Sequence, residues 1–526
     1  MDLISTFTKL QNAQDPLCVA YMFLAALALR HAAILPSRNL SWITISLGVL
    51  VIGVYLIKLA NYLLYPNFAD HVEATVASIS WLGLHGREFY PNWMVDDVYG
   101  LVYGPVLYLV QGLLLLIDPT ITALKIMGVV SLLLAFVLTF MVVKHKVADS
   151  NLTPFFTVAS VVMLIMPLSP FAYWTRADPF LILISVCALL AAVTLNPLAA
   201  GAIIGVLAGL ATGLKVHGFI YVAPLAIMTL GRVAAQRDRF VVAIVGVACA
   251  IIVILLPFCL KQSSLVGYLH YLRVAALHRF AFEENLLFAA ALFAPIIAVW
   301  FWCKPVINPP ELWLLGGLGI SLATAVLIGG VSGPYHLLPF VPICLYCAIA
   351  ILPTKEARRV GAIIFSVLLL AYGPGFLLDS RITKFYFDHS SVEREKVVEL
   401  QTYLDNYPDS QVGISDGSHY FDANYRIFSV LRGHPLHIDF AAWEDLAYVG
   451  VDEKTIVRFI RTCEVPTWIL PLGTPFTKLS WYTKHPILSD DFRRIFSTNY
   501  KLIQTGEFYQ VWKCRSSAEK NGAKLN

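Results

Sequence analysis

Residues 41–73 read SWITISLGVLVIGVYLIKLANYLLYPNFADHVE, a long apolar run that ends in a short segment rich in ionisable residues. The run at 41–65 is long enough to cross a membrane as a helix, which takes ~20 mostly apolar residues. Asp70, His71 and Glu73 follow directly. Charged groups next to hydrocarbon are costly and are usually kept for a function. The stretch therefore predicts a membrane helix with a candidate functional loop at its end.

The composition of the whole chain indicates a membrane protein. Of its 526 residues, 58% are hydrophobic and only 14% are charged, and the mean hydropathy is +0.71. Soluble domains are closer to one quarter charged. The net charge of +4 is small, and the sequence has no basic stripe or recognisable nucleic-acid-binding module. We therefore expect membrane lipids, and no nucleic acid, among its partners.

Apolar runs continue along the chain up to about residue 379. Those long enough, or nearly long enough, to span a bilayer are 17–36, 41–65, 121–143, 152–172, 178–196, 240–259, 285–304, 311–331, 334–352 and 359–378. The shorter runs 199–214 and 217–230 are separated by Lys215 and His217. They are marginal as spans unless protein shields their ends, because a span needs ~20 apolar residues and at least ~17. We interpret 99–117 as a half-inserted helix, since counting it as a full span would invert every later basic loop.

This assignment gives the chain a consistent orientation. The basic residues that become cytoplasmic under the positive-inside rule are Lys144, Lys146, Arg232, Arg237, Arg239, Lys304, Lys355, Arg358 and Arg359. The opposite side receives the long loop 66–120, the turns near Arg176, Lys215 and His336, and the loop 260–284. We therefore predict a multi-pass protein of the inner or plasma membrane whose candidate site and C-terminal region are extracytoplasmic.

The chain divides by composition into a membrane domain, 1–379, and a soluble domain, 380–526. The second part alternates strand-like and helix-like runs, which predicts a small α/β domain with a hairpin around Gly506. The strand-like runs are Gln411–Ser415, Thr467–Leu472, Lys501–Thr505 and Phe508–Lys513, and the helix-like runs are Val392–Leu404 and Glu453–Arg461. Cys463 and Cys514 could form a disulfide if this domain is extracytoplasmic.

Two groups of carboxylates in the loop 66–120 are candidates for chemistry. On a helix, Asp70 and Glu73 would share a face, so that one could deprotonate a hydroxyl while the other orients it or holds a divalent metal. The structural alternative is a helix start with Asn67 as its N-cap. Asp96 and Asp97 could bind a metal or a polar substrate, or could be exposed acids at a helix start.

Tyrosines follow the second pair of acids, in the segment Tyr99-Gly-Leu-Val-Tyr103-Gly-Pro105. Glycine and proline suit a helix that begins late or packs closely. The tyrosines could line a substrate cavity with His71, or could only mark the membrane interface.

Basic residues at the ends of later apolar runs are candidates for phosphate binding. Arg176 precedes Asp178 where a helix restarts, and arginine binds phosphate in a planar, charge-assisted fork. Lys215 and His217 break two short helices, where exposed helix ends also favour anions. The alternatives are a structural Arg176–Asp178 pair and a lysine that reaches the interface.

A further turn and a loop extend this set. Tyr335 and His336 open a helix on the same predicted side, where the histidine could bind phosphate or could be a buried structural residue. The loop 260–284 is amphipathic and could lie along the interface and recognise a lipid headgroup, or could only connect two spans.

The order of these motifs resembles the GT-C superfamily of polyprenyl-phosphate-sugar glycosyltransferases, such as protein O-mannosyltransferases and lipid A aminoarabinose transferases. The resemblance covers most of 41–378. The motifs that carry it are Asp70-His-Val-Glu73, Tyr103-Gly-Pro105, Arg176-Ala-Asp178, Leu214-Lys215 and Tyr335-His336-Leu-Leu-Pro339. It implies a polytopic α-helical membrane protein with a GT-C-like fold and a small C-terminal α/β extracytoplasmic domain.

The resemblance also implies a function in the cell envelope. The enzyme would transfer a hexose or pentose from a polyprenyl-phosphate donor to a hydroxyl of a glycan, lipid or protein, with inversion. Asp70 would be the general base, assisted by Glu73 or Asp178. Arg176, Lys215 and His336 would stabilise the departing phosphate.

The chain departs from the common adjacent Asp-Glu pair of this superfamily, because His71 and Val72 separate the two acids. This leaves open which acid is the base and whether a divalent metal binds at Asp70, Glu73 and Asp97; no other cofactor is implied. A multi-pass transporter of a polar or anionic solute is the main alternative function, although transporters usually place such groups near the midplane and have repeats. A scaffold subunit of an envelope-polymer assembly is a third.

Overall fold

The structure, a computed structural model, describes residues 42–147, 151–276, 282–304, 307–328, 333–350, 354–415, 422–480 and 482–516. Over these residues the chain is mostly helical, with a small mixed sheet near the C-terminal end. The apolar run 17–36, predicted to be the first span, lies outside the described residues.

Helices follow one another from Trp42 to Asn406, and shorter ones continue among the strands. The α-helices are α1 Trp42–Leu64, α2 His71–Leu84, α3 Pro105–Ile117, α4 Ile121–Lys146, α5 Leu152–Ile165, α6 Ser169–Tyr173, α7 Ala177–Thr194, α8 Pro197–Leu214, α9 Phe219–Gly231, α10 Gln236–Leu255, α11 Leu265–Ala275, α12 Phe282–Cys303, α13 Pro309–Ile328, α14 Val341–Ala350, α15 Thr354–Asn406, α16 Arg426–Leu431, α17 Phe440–Tyr448, α18 Lys454–Arg461 and α19 Asp490–Asn499. Short 3₁₀ helices lie at Met166–Leu168, Leu256–Cys259, Pro334–Phe340 and Asp422–Tyr425.

Eight helical segments of the described chain are long and apolar enough to cross a membrane. They are Thr44–Leu64, Ile121–Lys146, Leu152–Tyr173, Ala177–Thr194, Pro197–Leu214, Gln236–Cys259, Phe282–Phe301 and Pro309–Leu327. The prediction of a multi-pass membrane protein is confirmed. The helix α3 begins at Pro105 and has 13 residues, and α9 also has 13, so both are shorter than a full span. The loop 260–284 contains α11.

Small residues allow α8 and α10 to pack closely. A Cβ atom added to Gly205 would lie 2.1 Å from the backbone oxygen of Gly246, and one added to Gly201 would lie 2.6 Å from the Val242 side chain. Glycines four residues apart let the backbones of two membrane helices approach each other. Larger side chains at these positions would push the two helices apart.

Contacts divide the chain into two compact units. The first unit comprises Met1–Tyr62, Met127–Leu255 and Arg279–Phe387, and the second comprises Leu63–Ile126, Leu256–His278 and Asp388–Asn526. The long loop that follows α1 therefore belongs to the same unit as the C-terminal region.

The C-terminal part of the second unit contains a mixed sheet of four strands. The strands are β1 Ser410–Val412, β2 Thr467–Pro471, β3 Tyr500–Thr505 and β4 Tyr509–Cys514, in the spatial order β1-β2-β4-β3. The strands β1 and β2 are parallel, whereas β2–β4 and β3–β4 are antiparallel, which confirms the predicted hairpin around Gly506. A disulfide joins Cys463 to Cys514 and ties the segment before β2 to the end of β4.

The helix α2 packs on this domain within one apolar cluster of the second unit. Phe68 and Ala74 at the start of α2 are buried together with Leu400 of α15 and with Ile469 and Val511 of the sheet. Burial of such side chains is the main force that holds the helix in place. The α2 N-terminus therefore has a fixed position on the C-terminal domain.

A buried ion pair fixes the same helix end. The Arg426 Nε atom lies 2.5 Å from Asp439 Oδ2, and Arg426 Nη2 donates to the backbone oxygen of His71 at 2.6 Å. Asp439 Oδ1 accepts from the Thr75 hydroxyl at 3.1 Å and from the backbone N–H of Ala441 at 2.9 Å. Arg426 and Asp439 are almost fully buried, so each needs the other to compensate its lost hydration.

We expect Arg426→Met to destabilise the second unit by about 3–5 kcal/mol, because it leaves the Asp439 carboxylate buried without its cation. The midpoint of thermal unfolding of the purified full chain would fall clearly below that of the wild type. Arg432→Met is the matched control, since Arg432 and its partner Asp405 are largely exposed and the midpoint should stay unchanged. Equal midpoints for the wild type and Arg426→Met would contradict this account of the ion pair.

Candidate active site

Asp70 occupies the N-cap position of α2, in an extended conformation, and the helix begins at His71. The alternative prediction that Asn67 is the N-cap is therefore wrong. Asp70 is only 3% exposed, and its Oδ1 atom lies 3.0 Å from His71 Nδ1. The carboxylate is thus held at a helix N-terminus, where the helix dipole favours negative charge.

Glu73 is fully buried and turns back towards the chain that enters the helix. Its Oε2 atom accepts hydrogen bonds from the backbone N–H groups of Ala69 and Asp70, both at 2.9 Å. This is the reciprocal capping arrangement of a glutamate at the third helical position. Glu73 therefore holds Asp70 in place through the backbone, and the two acids are not side by side on one helical face, as the spacing suggested.

Lys125, the fifth residue of α4, is a site residue that the sequence analysis missed. It is completely buried, and its Nζ atom donates to the backbone oxygen of Tyr65 at 2.6 Å and to that of Asn67. The carbonyl of Phe68 accepts from Asn424 Nδ2 at 2.9 Å. Three carbonyl groups ahead of Asp70 are therefore held by the side chains of Lys125 and Asn424, which lie elsewhere in the second unit.

Lys125 and Glu73 are both completely buried, and the two groups interact electrostatically. A lysine and a glutamate that are both buried compensate each other's desolvation. The signal in the sequence is weak: one lysine in an otherwise apolar helix is typical of a topology marker. What distinguishes Lys125 is its position at the helix end opposite to the basic cluster at Lys144 and Lys146.

The acids at 96 and 97 have different environments. The Asp97 carboxylate is buried in an ion pair with Arg87, and its Oδ1 atom lies 2.7 Å from His437 Nδ1. Next to it, Val98 forms a parallel bridge with Ile438. Asp96 is exposed. Asp97 therefore ties the long loop to the C-terminal part of the second unit.

The two tyrosines predicted to line a cavity contribute to the packing of the loop. The Tyr99 hydroxyl donates to the backbone oxygen of Glu88 at 2.9 Å, and the backbone oxygen of Tyr103 accepts from the Tyr90 hydroxyl at 2.7 Å. Both Tyr99 and Tyr103 are buried. Contact of these residues with substrate stays a prediction.

The carboxylates considered as metal ligands do not fit a shared metal. Glu73 binds backbone N–H groups, and Asp97 is paired with Arg87 and His437. Across the described ranges, no group of three or more histidine, cysteine, aspartate and glutamate side chains is arranged to hold a metal ion.

The first unit contains a cluster of charged side chains from three separate turns. Lys215 Nζ donates to Asp178 Oδ1 at 2.6 Å, and Arg176 Nε lies 3.6 Å from Asp178 Oδ2. Arg176 is the N-cap of α7, Asp178 lies in its first turn, and Lys215 is the C-cap of α8. A cation is favourable at a helix C-terminus and an anion at an N-terminus. The C-terminus of α8 therefore favours the charge of Lys215, and the N-terminus of α7 favours that of Asp178.

Aromatic residues from the 3₁₀ turn after Gly333 complete this arrangement. Arg176 Nη2 donates to the Tyr335 hydroxyl at 3.2 Å, and the Tyr335 ring stacks on Phe171 with the centroids 4.1 Å apart. Lys215 Nζ lies 3.4 Å from His336 Nδ1, and the His336 and His217 rings are 5.2 Å apart. We call Arg176, Asp178, Lys215, Tyr335 and His336 the cation cluster.

The cation cluster has more positive than negative charge. Arg176 and Lys215 are each 6% exposed, and they share one carboxylate, that of Asp178. Burial lowers the pKa of Lys215, and the nearby Asp178 opposes this shift. Burial and the adjacent Lys215 lower the pKa of His217 to about 4, so this histidine is neutral at pH 7. An anion bound here would be stabilised by hydrogen bonds from these cationic groups.

Comparisons with known proteins concern the fold. No protein-family model matches the sequence, and no curated protein matches it. The structure is similar to ArnT from Cupriavidus metallidurans bound to undecaprenyl phosphate, with a TM-score of 0.55 and 14% identity over 89% of this chain and 98% of that chain. The apo state of the same ArnT gives a TM-score of 0.53 and 14% identity over 88% and 97% of the two chains.

A third solved structure is that of the Archaeoglobus fulgidus oligosaccharyltransferase tethered to an acceptor peptide. Its TM-score is 0.47, with 13% identity over 89% of this chain and 74% of that chain. The likeness to ArnT extends over most of this chain and nearly all of that chain. The chain therefore has an ArnT-like fold, as the GT-C resemblance predicted: a multi-pass helical membrane protein with a small C-terminal mixed sheet.

Proposed function

We propose that the chain is a membrane glycosyltransferase that moves a sugar from a polyprenyl-phosphate donor to an acceptor hydroxyl on the extracytoplasmic side. The observation that carries the proposal is the cation cluster, in which the buried side chains of Arg176 and Lys215 meet at Asp178 from two helix ends. A donor phosphate bound beside these two side chains would be stabilised by both cations. The similar ArnT structure binds undecaprenyl phosphate, which supports a lipid phosphate as the ligand.

The proposed reaction is a single displacement with inversion. Asp70 accepts the proton of the acceptor hydroxyl while that oxygen forms a bond to the anomeric carbon of the sugar. The bond between this carbon and the phosphate oxygen breaks, and its electron pair leaves with the polyprenyl phosphate. Negative charge grows on the phosphate in the transition state, and Lys215 and Arg176 stabilise it there.

The remaining charged residues position these groups. Glu73 holds the backbone N–H of Asp70, and Lys125 holds the carbonyls of the preceding turn. Asp178 keeps Lys215 and Arg176 together, so that both cations lie at one place. Tyr335 and His336 form the rest of the phosphate site, with the neutral His217 next to it.

The phosphate site can be tested by the binding of two lipids that differ only in the phosphate. Undecaprenyl phosphate should bind to the purified wild-type protein at least about 10-fold more tightly than undecaprenol, since one charge-assisted hydrogen bond contributes about 1.5–3 kcal/mol. Binding would be measured by displacement of a fluorescent polyprenyl phosphate in detergent micelles. Equal affinity for the two lipids would show that the cation cluster does not bind the phosphate group.

A further inference from the structure

A cavity lies in the second unit beside the start of α2. It has a volume of about 150 Å³, and His71 forms one wall. Phe440 and Ala441, the first residues of α17, contribute apolar surface. A cavity of about this size accepts a ring such as benzene. The space is therefore sufficient for one six-membered ring.

The other side of the cavity is polar. Glu444 lines it and accepts a hydrogen bond from the Ser480 hydroxyl at 2.8 Å, while Lys478 and Lys484 line it from the segment before α19. Glu444 and Lys478 are half-buried. Carboxylate, hydroxyl and ammonium groups together can accept from and donate to the hydroxyls of one ligand. Apolar surface with a few converging polar groups is typical of a small-molecule site.

The wall formed by His71 links this cavity to Asp70. His71 Nδ1 lies 3.0 Å from Asp70 Oδ1 and is buried, whereas 22% of the His71 side chain is exposed. The exposed part is therefore another edge of the ring. The backbone oxygen of His71 accepts from Arg426, which fixes the position of this residue at the start of α2.

We propose that this cavity is the acceptor subsite, and that it takes one hydroxyl-bearing ring of the size of a hexose. The proposal rests on the transferase function and names the acceptor chemistry: a sugar, bound with its carbon face on Phe440 and its hydroxyls on Glu444 and Lys478. His71 is the positioning residue, because it forms the wall of the subsite nearest to Asp70 and contacts that carboxylate. The soluble domain then has a direct part in acceptor selection.

The subsite can be tested by binding alone, without a donor. Methyl α-glucoside should show saturable binding to the purified full chain in saturation-transfer NMR, whereas cyclohexanol, which has the ring but one hydroxyl, should bind more weakly. Ala441→Leu fills the cavity and should weaken the binding of the glucoside at least 10-fold. Lys478→Gln removes the cationic group from the cavity and should also weaken the binding of the glucoside. Lys454→Gln, at an exposed lysine of the same domain, should not.

These outcomes separate the subsite from the proposed function. Because binding needs no turnover, a protein that transfers no sugar but binds the glucoside in this way would retain the subsite and lose the transferase function. If the wild type does transfer sugar to methyl α-glucoside, Ala441→Leu should raise the KM for this acceptor at least 10-fold and leave the donor KM unchanged. Absence of saturable glucoside binding to the wild type, or affinities and acceptor KM values unchanged in Ala441→Leu and Lys478→Gln, would overturn the proposal.

Discussion

Asp70→Asn should lower sugar transfer by about 10²- to 10⁴-fold, the usual contribution of a general base. The amide of asparagine cannot accept the proton of the acceptor hydroxyl. The fold should persist, because asparagine is as good an N-cap residue as aspartate and has nearly the same shape. The hydrogen bonds that Glu73 accepts from the backbone N–H groups of Ala69 and Asp70 do not involve the replaced carboxylate of Asp70.

The measurement is the initial rate of transfer, with the midpoint of thermal unfolding as the check on folding. Asp118→Asn is the matched control, since Asp118 is an exposed acid of the same long loop. It should leave both the rate and the midpoint unchanged. A normal rate in Asp70→Asn would remove the assignment of the base, and a large fall in the midpoint would mean that Asp70 acts on the fold.

Lys215→Met should weaken the binding of undecaprenyl phosphate by about 10- to 100-fold, the effect of one lost charge-assisted hydrogen bond. The substitution keeps most of the side-chain length, so the apolar packing is retained. Asp178 keeps Arg176 as a partner, at 3.6 Å. The cluster would then have lost one of the two cations that we propose bind the phosphate.

The affinities of Lys215→Met for undecaprenyl phosphate and undecaprenol should therefore become similar, and the donor KM should rise more than kcat falls. Lys304→Met, at an exposed lysine of the same unit, should keep the preference for the phosphate. An unchanged preference in Lys215→Met would contradict the phosphate-binding role of this cluster.

The membrane helices could be predicted from the sequence because length and apolar composition act locally. The apolar run 121–143 corresponds to Ile121–Lys146, and 152–172 corresponds to α5 and the two short helices that follow it. Pro105 fixed the start of α3, since proline suits the first turn of a helix. The helices α17 and α19 were not predicted, because both are short and α17 is apolar on several sides.

The cation cluster was also visible in the sequence, because each member interrupts an apolar run. Arg176, Lys215 and His336 each stand where one helix ends or another begins, and the structure brings all three together. A break in a membrane helix leaves backbone polar groups that need hydrogen-bond partners, and a charged side chain there is costly in hydrocarbon. Charged residues at such breaks therefore indicate a candidate functional site. Their role towards a phosphate stays a proposal.

The network around Asp70 could not be predicted in the same way. Lys125 binds carbonyls about 60 residues earlier in the chain, and Arg426 binds the backbone of His71 across a separation of 355 residues. Neither pairing can be recognised from neighbouring residues in the sequence. A lysine that is buried against carbonyl groups cannot be distinguished there from a lysine that only sets the membrane topology. The spacing of Asp70 and Glu73 was misleading for a related reason: helical geometry applies only after the N-cap.

The central claim is tested most directly by transfer of radiolabelled sugar from a panel of polyprenyl-phosphate sugars, by purified wild type and Asp70→Asn side by side. The account predicts that the wild type releases polyprenyl phosphate from one of these donors and transfers its sugar to a hydroxyl, and that Asp70→Asn does neither at a comparable rate. Turnover of no donor by the wild type, together with solute flux in liposomes that contain the protein, would contradict the account and identify a transporter.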